Sequence, residues 1–288
     1  MKTTHLIIAL NVVIYAAMLA IVGSGQLHEF SNQTLLQFGA LYPPLVRDGE
    51  LWRTMTAVFI HITPWHIGMN MVALYQVGVE LEPHYGRGRY TALYLLAGLG
   101  GSAGSLLWNW SHPVVAAGAS GAICGLIGAG AVTGQLIGGT QGKRFSKVMI
   151  EWAVIVIVFG FFVGADNAAH VGGFVTGAAI AWLFDHGAGW MKRRRQPSGS
   201  GGLGLDAVAL ILVVGVSFGF AARYQKSAIS VEDLISQGVE LSRAGKIDQA
   251  TVLYRRATKM DPHDEVAHFD LGLSLLKKNQ LPEAEKEL

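Results

Sequence analysis

Residues 118–138 read GASGAICGLIGAGAVTGQLIG, with no Asp, Glu, Lys or Arg among them. A stretch this long and this apolar matches the ~20 residues that an α-helix needs to cross a bilayer. Gly118, Gly121, Gly125, Gly128 and Gly130 recur along it. Small residues let membrane helices approach closely, so the segment is expected to present a contact face to its neighbours. It also opens on Gly-x-Ser-Gly, which makes Ser120 a first candidate for chemistry. Taken alone, that motif is equally well explained as part of the contact face.

Working outward, comparable apolar stretches occur at roughly 5–23, 64–81, 90–109, 148–163, 168–184 and 203–222, the fifth and sixth of the seven being short. The chain is 51% hydrophobic and 15% charged, whereas soluble domains carry about 25% charge. The deficit is confined to the first 222 residues. The expected fold is therefore all-α: a polytopic membrane helix bundle of six spans plus one, followed by a soluble helical tail. A net charge of +2, with no basic block longer than Lys192 to Arg195, gives no argument for a nucleic-acid partner, and none is expected. The single cysteine, Cys124, cannot form an intramolecular disulfide. The N-terminal apolar run continues to about Val22 without a clear cleavage site and is read as a retained first helix.

Loop charge orients the spans. Lys2, Arg87, Arg89, the Lys143-Arg144-Lys147 cluster and Lys192 to Arg195 fall on one side if the N-terminus is cytoplasmic. The loops 111–117 and 164–167 carry no Lys or Arg, while Arg47 and Arg53 in the long first loop are mild exceptions. The expectation is a multi-pass protein of a bacterial inner membrane, with lipid around it and its tail outside the cytoplasm. Residues 1–185 form the core, 186–202 a basic and Gly/Ser-rich linker, 203–222 a seventh span and 231–288 the tail. That tail repeats at a spacing of 34: Gly238 with Gly272, Leu241 with Leu275, Ala250 with Ala284. It resembles the tetratricopeptide repeat, whose second unit here is expected to be incomplete at Leu288.

Two further segments bear on Ser120. In His61-Ile-Thr-Pro-Trp-His66-Ile-Gly-Met-Asn70, Pro64 suits a first helical turn with Thr63 as N-cap. His66 and Asn70, four apart, share one helix face. Polar groups at a membrane helix end must face protein or water, and interhelical hydrogen bonding alone would satisfy them. In Ala169-His170-Val-Gly-Gly173, His170 starts the sixth span. A neutral imidazole within reach of a hydroxyl is the base that hydroxyl attack requires. Ser120 and His170 both open outside-to-inside spans, and His61, His66 and Asn70 fall on that same outer side. Packing alone does not predict this agreement in depth.

Together these segments resemble the rhomboid protease family over about residues 5–185. The matching features are Trp52-Arg53, the His61/His66/Asn70 pattern followed by Gly78-Val79-Glu80, Gly118 to Gly121, and Ala169-His170 with Gly173. The resemblance implies an intramembrane serine endopeptidase that cuts transmembrane protein substrates near the outer face through a Ser120–His170 dyad. It implies an oxyanion hole made by the Ser120 backbone N–H with the His66 and Asn70 side chains. His61, Gly118, Gly121 and Cys124 are expected to support the site. Cys124 stands where the family often has an aromatic against the histidine, so Phe161, Phe162 or another aromatic is expected to fill that space. Asp166 is read as a loop carboxylate near a helix N-terminus and not as a third catalytic member. No metal or cofactor is expected, since the His61/His66 pair lacks a zinc-binding pattern. The alternative is a catalytically silent rhomboid-like factor that binds membrane proteins; a transporter would require paired charges or broken helices at mid-bilayer. The tail is expected to take a peptide or protein partner.

Overall fold

The computed structural model describes residues 2–112, 114–187, 205–225 and 231–288. The chain divides into two compact units, Met1–Ala222 and Arg223–Leu288. Most of the expected linker 186–202 lies outside the described residues.

The first unit begins with α1 (Thr3–Val22) and three short helices, α2 (Asn32–Phe38), α3 (Pro43–Arg47) and α4 (Arg53–Thr56). The expected second and third spans follow as two helical segments that meet at a kink, together α5 (Pro64–Trp108). Gly86 breaks it with φ 72° and ψ 165°, a conformation that favours glycine. The arms 64–85 and 87–108 are each about 33 Å long at ~1.5 Å per residue, enough for one bilayer crossing apiece. The bundle continues through α6 (Ser120–Ile137), α7 (Gly139–Val163) and α8 (Asn167–Gly187). α7 is longer than the expected 148–163, so Lys143, Arg144 and Lys147 sit on its first turns and not in a loop. α9 (Leu205–Gln225) occupies the region of the expected seventh span.

α6 is the axis of the bundle: every residue from Gly121 to Ala131 is buried. Its glycines pack against those of α8 and α5. A Cβ on Gly177 would lie 1.9 Å from the Gly125 carbonyl oxygen, and one on Gly125 would lie 2.1 Å from the Ala97 Cβ. No side chain fits such gaps, so the sequence of small residues is what brings these backbones together. α7 lies at the rim, with Val154, Ile155, Val158 and Phe159 exposed. An outward apolar face of this kind suits lipid and not water.

At the other end of the bundle, Glu82 is buried on α5 and caps α1. Its carboxylate accepts from the Thr3 and Thr4 backbone N–H groups (2.6 and 2.9 Å) and from the Thr4 hydroxyl (2.7 Å). A negative group at a helix N-terminus satisfies orphan donors and complements the dipole. The first loop is ordered for a similar reason. Arg53 is buried, pairs with Glu50 at 2.7 Å and donates to the carbonyls of Leu36 and Ala40. Its charge is thus held inside the protein.

The second unit contains α10 (Val231–Arg243), α11 (Ile247–Met260), α12 (Glu265–Lys277) and α13 (Leu281–Glu287). Gly238 of α10 faces the Tyr254 ring of α11, and a Cβ there would sit 2.5 Å from it. Ala250, Tyr254, Leu271, Leu275 and Ala284 form one small core, in which Ala250 and Ala284 hold equivalent repeat positions.

Candidate active site

Three helices begin at one end of the first unit, and each brings a polar residue there. Pro64 starts α5, and the Thr63 hydroxyl caps it by accepting from the His66 N–H at 3.0 Å. This places His66 in the first turn. Ser120 is the first residue of α6, and His170 lies in the first turn of α8.

The Ser120 Oγ and His170 Nε2 are 3.0 Å apart. His170 is buried and Ser120 half-buried, so the imidazole sits behind the hydroxyl. A cavity of about 900 Å³ reaches Ser120; His66, Gly118, Trp108 and Phe161 are among its other lining residues. His170 and Asn70 do not line it.

The segment entering α6 is fixed by the first loop. Leu41 and Ala116 exchange two backbone hydrogen bonds (2.8 and 2.9 Å), and the Gly118 N–H donates to the Ala57 carbonyl at 2.9 Å. Gly118 has φ 133°, in the region glycine favours, and a Cβ on it would meet the His66 ring at 2.7 Å. The imidazole therefore lies directly against the turn that carries Ser120. Fully buried His61 accepts from the Ala119 N–H through Nε2 at 3.4 Å, and its ring meets that of His66 edge-on. Asn70 is buried and its amide donates to the His66 carbonyl at 2.9 Å. One of its N–H bonds is thus used within α5, leaving the other to point elsewhere.

Cys124 is buried one helical turn beyond Ser120. The aromatics expected beside His170 are not buried there: Phe161 is 76% exposed and Phe162 84%. Both belong to the last turn of α7, with Phe161 at the cavity wall. The partner that His170 does have was not anticipated. Its Nδ1 lies 3.0 Å from the Asn167 Oδ1, and the Asn167 Nδ2 donates to the Ile157 carbonyl of α7 at 3.1 Å. The available signal was spacing, since Asn167 precedes His170 by three residues and shares its helix face. Asp166 instead accepts from the Ala169 N–H at 3.0 Å, an N-terminal cap for α8.

Residues 48–186 match the Rhomboid domain and residues 241–288 a tetratricopeptide repeat. Rhomboid protease GluP of Bacillus subtilis is 29% identical across 96% of this chain and 58% of its own length. RHOMBOID-like protein 5 of Arabidopsis thaliana is 37% identical, across 53% of this chain and 50% of its own length. Rhomboid-like protease 2 of Toxoplasma gondii is 31% identical, across 69% of this chain and 72% of its own. The chain belongs to the rhomboid family. It is a multi-pass integral membrane protein with a helical repeat segment at its C-terminal end. It spans about half the length of several of the relatives it matches.

Proposed function

We propose that the chain is an intramembrane serine endopeptidase, with Ser120 as nucleophile and His170 as its general base. The observation that carries this reading is the 3.0 Å approach of His170 Nε2 to Ser120 Oγ at the mouth of a cavity. A serine hydroxyl is a weak nucleophile until a base within hydrogen-bond reach takes its proton. His170 removes that proton as Oγ attacks the scissile carbonyl, then passes it to the leaving amine as the C–N bond breaks. Water, deprotonated by the same imidazole, releases the acyl group.

The developing oxyanion needs donors. As the first residue of α6, Ser120 has a backbone N–H without an acceptor inside the helix. The ring of His66 lies beside Gly118, and Asn70 is one turn further along α5. Donors of this kind each contribute about 2.7–4 kcal/mol to the rate in proteases. His61 and Gly118 support the site by holding the turn before Ser120, and Gly121 by letting α8 approach; Cys124 packs beneath them.

Substrates are transmembrane helices that unwind near the outer face to present a carbonyl. A hydrogen-bonded helix hides its peptide groups, so helix-breaking residues favour cleavage. The cation distribution supports a cytoplasmic N-terminus in a bacterial inner membrane, with residues 1–185 as the protease core, 186–202 as a linker, 203–222 as a seventh span and 231–288 outside the cytoplasm. The repeat segment recruits a peptide or protein partner. The reading is tested by incubating the purified chain in liposomes with a transmembrane substrate: wild type should cut one bond that Ser120→Ala leaves intact. Cleavage of that bond by Ser120→Ala would overturn the assignment.

A further inference from the structure

We infer that Asn167 is a positioning residue that fixes the tautomer and orientation of His170 from α7. The inference rests on the reading of Ser120 and His170 as the reacting pair. It follows from a chain of forced donor and acceptor assignments.

A backbone carbonyl can only accept, so the Ile157 oxygen at 3.1 Å requires the NH2 end of the Asn167 amide. The amide oxygen then faces His170 Nδ1 at 3.0 Å. That oxygen also only accepts, so Nδ1 must carry the ring proton. In a neutral imidazole this leaves Nε2 bare, and Nε2 is the atom 3.0 Å from the Ser120 hydroxyl. One carbonyl of α7 thereby decides, through two hydrogen bonds, that the nitrogen facing Ser120 can take a proton. The opposite tautomer would point an N–H at Oγ and could not act as a base.

Two other features give Asn167 this task. Cys124 is too small to stack on the ring, and Phe161 and Phe162 are largely exposed, Phe161 at the cavity wall, so orientation falls to the hydrogen bond. Gly160 leaves the room for it. A Cβ at that position would lie 2.3 Å from the Asn167 Oδ1 and displace the amide. Gly160 is thus a second, remote handle on the same interaction.

The test uses the full chain in liposomes with two readouts. One is the rate at which a fluorophosphonate probe labels Ser120. The other is the 15N spectrum of His170, assigned by its loss in His170→Gln. Wild type should show the Nδ1–H tautomer. Asn167→Ala and Gly160→Ala should each lose that preference and label on the order of 10- to 100-fold more slowly, by analogy with loss of the partner that orients a metal-ligating histidine. If Asn167→Ala proves unstable, Gly160→Ala and the wild-type spectrum still decide. An Nε2–H tautomer in wild type would overturn the inference, as would variants that keep both tautomer and labelling rate. A wild type that does not label, but whose tautomer still depends on Asn167, would overturn the protease reading and leave the hydrogen-bond chain supported.

Discussion

Gly173 and Gly121 touch through their backbones: a Cβ on Gly173 would lie 1.9 Å from the Gly121 carbonyl oxygen. Gly121 follows Ser120 directly, and Gly173 lies three residues beyond His170. The contact therefore fixes the distance over which α6 and α8 present Ser120 and His170.

Gly173→Ala should force the two helices apart, because carbon and oxygen cannot approach that closely. Overpacking of this kind typically costs about 1–3 kcal/mol of stability. A misplacement near 1 Å between reacting groups costs roughly 10²-fold in rate. The variant should lose about that much activity while remaining folded enough to measure. Gly68→Ala, whose position has open space around it, is the control and should be close to wild type in both.

His66→Ala should lower kcat by about 10²–10³ with little change in KM, since a donor to the oxyanion acts in the transition state. Asn70→Ala should cost less, because part of its amide already serves the His66 carbonyl. A rise in KM at constant kcat would instead place both residues in ordinary substrate binding.

Glu82→Ala should destabilise the protein without touching the site. It strips two backbone donors of α1 of their partner. Hydrogen bonds to a buried charged group contribute about 1.5–3 kcal/mol. Denaturant unfolding in detergent measures the loss, and the labelling rate of the folded fraction should be unchanged.

Much of this was legible in the chain because membrane helices write themselves in long apolar runs. The glycines of 118–138 announced close packing, and the polar residues at three helix starts announced a common depth. Two things were not legible. Gly86 lies between the expected spans, and nothing local says whether the chain there forms a loop or, as found, a one-residue kink between two helical segments. The orienting partner of His170 depends on where α7 runs, and a carbonyl at Ile157 has no sequence signature at all. An aromatic was expected beside His170 because Cys124 left space; the rim position of α7 leaves Phe161 and Phe162 largely exposed instead.

Deleting residues 231–288 should leave the labelling rate of Ser120 unaltered and change which substrates are cut. The two compact units each have their own core, so loss of one should not unfold the other. Unchanged substrate choice and unchanged partner capture by the deletion variant would remove the recruiting role from the tail.

The central claim is that Ser120 is a nucleophile activated by His170. It is tested most directly by fluorophosphonate labelling of the full chain, compared across wild type, Ser120→Ala and His170→Ala. Strong labelling of wild type alone, mapped to Ser120, is the predicted result. Labelling that persists in Ser120→Ala, or that is absent from a folded wild type, would contradict it.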